Sequence, residues 1–157
     1  MIAVESSDVI PLAQFALSWR FTDERWSGSG ADARRDIRPL APARAVALHG
    51  PLAAAYHVAR EAPAQHLPAA CQDDAGARRI AAALAGLPPG ADERIVVSWD
   101  QATAVETSWR TFREHWEVFC YPGSDDVTIS PLDERWVLCY YHWEEFSFTQ
   151  RPAARQP

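Results

Sequence analysis

Two short stretches near the C-terminus hold most of the side chains that could do chemistry: FCYPGSDDVTISP, residues 119–131, and YYHWEEFSF, residues 140–148. Together they offer Cys120, Asp125, Asp126, His142, Glu144 and Glu145. Adjacent carboxylates can ligate a hard cation, but magnesium or calcium needs further oxygen ligands at matching positions. Gly-Ser-Asp-Asp is equally what a turn uses, because these residues satisfy turn geometry and nearby backbone donors. If Asp126 opens a strand, Asp125 and Asp126 point to opposite faces and do not easily share one ion. His142 and Glu144 have the H-x-E spacing that puts both on one face of a strand. A catalytic zinc needs three protein ligands, so a metal-dependent hydrolase or metal-binding protein requires Asp126, His142 and Glu144 to converge. Neither H-E-x-x-H nor a C-x-x-C accompanying H-x-E is present, which removes the zinc-protease and zinc-deaminase signatures.

A nucleophilic cysteine needs a base within reach and a lowered pKa. Cys120, with His115 or His142 as base, follows Phe119 at a helix end, where the dipole is negative and raises a thiol pKa. Cys139 falls on an apolar strand face and reads as core filler. All 15 basic residues are arginine, and the chain has neither lysine nor asparagine. The lack of lysine excludes a P-loop and any Schiff-base or pyridoxal chemistry. G-x-S-x-G and G-x-G-x-x-G are absent as well. No cofactor is expected.

The elements that must position these groups can be read from periodicity. Residues 1–9 and 151–157 read as loose tails of a single domain spanning 1–157. Leu12, Phe15, Trp19 and Phe21 are apolar anchors of a short helix or arm. Pro42 suits the first turn of a helix to about Leu48, Gly50 its stop, and Pro51 the start of another to about Arg60. Residues 61–74 read as a loop. Asp73 or Asp74 caps a helix carrying Ile80, Leu84 and Leu87 on one stripe, and Pro88-Pro89-Gly90 ends it. RIVVSW, 94–99, reads as a strand. Thr103 and Glu106 have capping-box spacing, opening a helix over 103–119 whose stripe is Val105, Trp109, Phe112, Trp116 and Phe119. Three antiparallel strands follow, DVTIS, RWVLCYY and EFSFTQ. With HWEE as the loop, Tyr141 would pair with Phe146 and Cys139 with Phe148. Val137, Cys139 and Tyr141 would then be the apolar face toward the tryptophan helix, and Leu138, Tyr140, Ser147 and Thr149 the more polar one. The fold class expected is α+β: a small antiparallel sheet packed by a Trp-rich helix, with alanine-rich helices flanking it.

The charge is uneven. Residues 1–91 carry nine arginines and nine acidic residues, whereas 92–157 carry six arginines and twelve acidic residues, so the whole net charge of −6 lies in the second part. Such a chain is a poor grip for nucleic acid, which needs a basic stripe, and suits a basic protein partner. No apolar run approaches the ~20 residues that span a bilayer. The N-terminus lacks the pattern of a secretory signal, and Cys71, Cys120 and Cys139 are an odd, widely spaced set. A reduced, cytoplasmic setting is expected, and the absence of lysine and asparagine, both encoded by A-rich codons, points to a GC-rich bacterial genome.

A strand ending SWD, then AVETSWRTFREHWEVF, CYPGSDDVTI and WVLCYYHWEEFSF together resemble a small bacterial domain family of unknown function, over residues 94–150. That resemblance implies no activity, cofactor or site residue. In type, a small acidic α+β protein with many tryptophans is similar to the immunity proteins that neutralise bacterial toxins. The expectation is therefore a non-enzymatic protein-binding module, with Asp125, Asp126, Trp143, Glu144 and Glu145 as its surface. Trp143 is the tryptophan expected to be exposed, because a hairpin tip is hard to bury.

Overall fold

The computed structural model describes residues 4–28, 30–61, 64–67 and 73–150. The chain is α+β: among the described residues, seven strands form one antiparallel sheet and helices cover both faces. The sheet is built outward from the second half of the chain. Strand β3, Arg94–Ser98, pairs with β4, Ala104–Ser108, and with β5, Val127–Ser130. Strand β6, Trp136–Tyr141, lies between β5 and β7, Glu145–Gln150. Two-residue strands close the ends: β1, Arg38–Pro39, beside β4, and β2, Gln65–His66, beside β7.

The tryptophan stripe is buried as its periodicity predicts, but not on one helix. Trp109, Phe112, Trp116 and Phe119 lie on α4, Trp109–Glu114, and α5, Trp116–Phe119, while Val105 lies on β4 opposite Val97. Residues 104–108 are thus strand where a helix was expected. Val105, Thr107 and the nearby Thr103 are β-branched and fit a pleated surface. The strand also hands Glu106 two cations that a free helix would not reach: Arg38 at 2.7 Å and Arg94 at 2.8 Å. The cap is accordingly Ser108, whose hydroxyl accepts the Thr111 N–H at 3.2 Å, not Thr103. Asp36, which ends α1 (Gly30–Asp36), accepts from the Ser108 amide at 2.9 Å and its hydroxyl at 2.6 Å and ion-pairs with Arg94.

The hairpin register is one residue off the expected pairing. Tyr141 faces Glu145, Tyr140 faces Phe146 and Leu138 faces Phe148. Because side chains alternate along a strand, a shift of one exchanges the two faces of β6 relative to Phe146 and Phe148. Leu138, Tyr140, Phe146 and Phe148 therefore meet the tryptophan helices in the main core, and Val137, Cys139 and Tyr141 line the opposite face. That second face is also apolar because α2, Pro42–Glu61, lies across β3, β5 and β6. Leu52 of α2, with Leu48 partly buried, packs on Val96 and Ala104. The helix runs through Pro51 without the expected break, although proline cannot donate the i→i−4 hydrogen bond there.

Helix α3, Asp74–Ala85, starts on the expected cap, with Asp73 accepting the Gly76 N–H at 2.7 Å. Ile80, Leu84 and Leu87 are buried. The arm of residues 12–26 folds as 3-10 turns that bury Phe15 and Phe21 but leave Trp19 at 54% exposure, so Trp19 is not an anchor. Residues 4–9, read as part of a loose tail, are tied down: Val9 bridges to Leu40, and the Ala41 N–H donates to the Asp8 carbonyl at 2.7 Å. The expected tail at 151–157, half of the stretch 61–74 and Cys71 lie outside the described residues; the described half corrects the loop reading, since Glu61 ends α2, Gln65–His66 pairs with β7 as β2 and Asp74 opens α3. Among the described residues no helix is long and apolar enough to cross a membrane.

Candidate functional site

The two stretches singled out in the sequence meet at one end of the sheet. Pro122-Gly123 reverses the chain after α5, with Gly123 at φ 76°, a conformation that favours glycine. The Gly123 N–H donates to the His142 carbonyl at 2.8 Å, which joins this turn to the β6–β7 hairpin tip. The tip is a three-residue loop, His142-Trp143-Glu144, with the Glu144 N–H donating to the Tyr141 carbonyl at 2.8 Å. Glu144 takes the left-handed position of this loop at φ 66°, a place usually given to glycine.

Asp125 and Asp126, which sit between the 122–124 turn and β5, have opposite fates. Asp125 is 8% exposed, which corrects its reading as part of an acidic surface. Its two oxygens take a fork from Arg20, at 2.6 and 3.1 Å, and one also accepts the Tyr121 N–H at 2.8 Å. Arg20 is itself 6% exposed. Its guanidinium lies over the rings of Tyr121, Trp19 and Trp99, at 4.3, 5.2 and 5.5 Å from their centroids. Sequence reasoning missed this cluster, and no local signal announces it: Arg20 and Asp125 are 105 positions apart.

Asp126 stays at the surface. One of its oxygens, Oδ1, accepts the His142 backbone N–H at 3.0 Å and lies 3.0 Å from His142 Nδ1. Two of the three expected metal ligands therefore meet. Glu144 does not complete them: among the described residues no three His, Cys, Asp or Glu side chains are placed to hold one metal ion. The metal reading through Asp126, His142 and Glu144 therefore lacks its ligand set. The cysteine route is no better served. Burial, reinforced by the negative charge of Asp125, pushes the Cys120 thiol well up, and burial pushes Cys139 up to about 12. A thiol held protonated and out of solvent is a poor nucleophile.

Comparison with protein-family models, curated proteins and solved structures finds no match to this chain. The site has to be read from its own geometry.

Trp143 is 57% exposed yet held in place. Its ring stacks on Tyr141 at 4.7 Å with an interplanar angle of 5°, and its indole N–H donates to Glu145 Oε2 at 2.9 Å. The other Glu145 oxygen lies 2.7 Å from His66 Nδ1 on β2. Trp19 lies by the start of the same turn, its ring 5.5 Å from that of Tyr121. Two exposed tryptophans thus border the 121–126 turn, with Asp126, Glu144 and Glu145 beside Trp143.

On the α2 face of the sheet, the same end opens into a cavity of about 180 Å³ lined by His49, Leu52, Trp99, Asp100, Asp126 and Thr128, among others. Asp126 belongs to both the cavity and the hairpin surface. The SWD stretch at 98–100 was read only as a strand end, and its contribution here depends on β5 lying beside β3.

Proposed function

We propose that this protein is a non-enzymatic protein-binding module that presents Trp143, with Asp126, Glu144 and Glu145, to a basic partner. The observation that carries the reading is Trp143: a large apolar ring, more than half exposed, fixed by stacking on Tyr141 and a hydrogen bond to Glu145. A side chain already ordered before binding loses little conformational entropy when a partner covers it. Tryptophan is the residue type most often found at the energetic centre of interfaces, and three carboxylates around it favour a basic surface in encounter and register. Asp125 is not part of this surface, being committed to Arg20. A bacterial, cytoplasmic setting with an immunity- or accessory-type role is consistent with the composition.

The test is selection of peptides from a displayed random library on the immobilised protein, with Trp143→Ala/Glu144→Gln as the counter-target. The enriched sequences should be basic, and their affinity should fall as salt rises. The double variant should lose them while melting at the wild-type temperature. Enrichment of neutral sequences, or equal binding to the double variant, would count against this surface.

A further inference from the structure

We infer that the cavity beside Asp126 receives a guanidinium, an arginine side chain that the partner inserts between Asp100 and Asp126. The inference rests on the protein-binding reading above. The cavity is small, about 180 Å³, and lies between α2 and the end of the sheet. Leu52 and Ala53 of α2 make its apolar wall, Trp99 borders it while its ring packs on Phe15 and Phe119 in the main core, and Thr128 adds a hydroxyl-bearing side chain. Among the described residues its acidic groups are Asp100 and Asp126, no arginine lines it, and His49 is the one basic side chain there. The two carboxylates are partly occupied in the same way. Asp100 Oδ1 accepts the Ala102 N–H at 2.8 Å, and Asp126 Oδ1 is taken by His142. Neither Oδ2 has a hydrogen-bond partner among the described residues.

Two spare carboxylate oxygens above an apolar wall select a ligand with an apolar stem and a cationic head. An anion is repelled. A bare divalent ion lacks a ligand set, since no three suitable side chains converge among the described residues. Arginine fits: its methylene stem can lie along Leu52 and Ala53, and its planar fork can address two carboxylates at once. Lysine is a point charge with strong hydration and gains less from such a pair. Asp126 connects the cavity to the proposed interface, because the His142 it holds packs edge-on against Trp143 with centroids 4.8 Å apart. An arginine entering the cavity would therefore belong to the same partner that covers Trp143.

The experiment uses isotope-labelled protein and two short, otherwise neutral peptides, one with a central arginine and one with citrulline, its uncharged isostere. The arginine peptide should shift the Trp99 and Thr128 backbone amide resonances saturably, and the citrulline peptide should not. Asp100→Asn keeps an acceptor for the Ala102 N–H and should fold normally. It should weaken arginine binding about tenfold, as expected for a charge-assisted hydrogen bond that is partly screened by water. Trp143→Ala/Glu144→Gln should leave the Trp99 shift intact. No saturable shift, equal response to citrulline, or unchanged binding by Asp100→Asn would overturn the inference. Shifts that instead follow the concentration of the protein alone would assign the cavity to an arginine of a second copy and overturn it too. If the arginine peptide fails while the double variant still loses the selected partner peptides, the cavity inference falls and the Trp143 surface stands. The opposite pattern removes the surface and keeps the cavity.

Discussion

Replacing Asp125 with alanine should be among the most damaging single changes in this chain. The side chains of Arg20 and Asp125 are 5% and 8% exposed, and their closest approach is 2.6 Å. Removing the carboxylate strands a buried guanidinium whose remaining polar contact is a 3.4 Å bond to the Val118 carbonyl, and frees the Tyr121 N–H. Three aromatic faces around Arg20 soften the loss of its anion but do not replace it. Breaking one side of a buried ion pair costs about 3–5 kcal/mol. For a domain of this size that is a fall in Tm of roughly 6–20 °C. Asp125→Asn retains an acceptor for the Tyr121 N–H and one arginine bond, and should cost about 1.5–3 kcal/mol, the worth of a charged hydrogen bond. The double variant Arg20→Met/Asp125→Ala should lose less than the sum of its single changes, by ~1–3 kcal/mol, because no charge is then stranded. Urea unfolding followed by circular dichroism measures all four, provided the slope m is unchanged. A cost below ~1 kcal/mol for Asp125→Ala, the value of a solvent-exposed pair, would refute the reasoning. So would additivity of the two single changes.

Two further outcomes follow from the titrating groups. Burial alone would raise the Asp36 pKa, but hydrogen bonds from the Ser108 hydroxyl and amide and from Arg94 outweigh it and hold the carboxyl well below the usual range. The unfolded chain then binds the proton first, so the stabilisation from Asp36 is full above an unfolded pKa of about 3.9 and is lost as pH falls toward its lower folded pKa. Asp36→Asn should lower stability at neutral pH and flatten its acid dependence below pH ~4; an unchanged acid profile in pH-jump unfolding would contradict this. In a Cys71→Ser background, Cys120 and Cys139 should resist a thiol reagent until urea unfolds the protein, since both are buried and held protonated; fast labelling of the native protein would contradict their burial.

What the sequence determined by itself was whatever depends on near neighbours. The three C-terminal strands, α3 with its Asp73 cap, and the burial of Trp109, Phe112, Trp116 and Phe119 were all legible, because turn residues and apolar spacing act within a few positions. The exposure of Trp143 was legible for the same reason, as the tip of a hairpin. Periodicity alone did not separate helix from strand at 104–108. Val105 and Trp109 are four apart, which puts them on one side of either element, and only pairing with β3 and the cations on Glu106 decided for strand. The hairpin register slipped by one because its loop has three residues with a glutamate, not a glycine, in the left-handed position. The fates of Asp125 and Asp126 were settled furthest from home. Two identical neighbours became a buried ion-pair partner and a surface acceptor because Arg20, 105 positions earlier, arrives on one side and the His142 hairpin on the other. Chain entropy makes such meetings costly until a whole core is formed, so no local pattern encodes them.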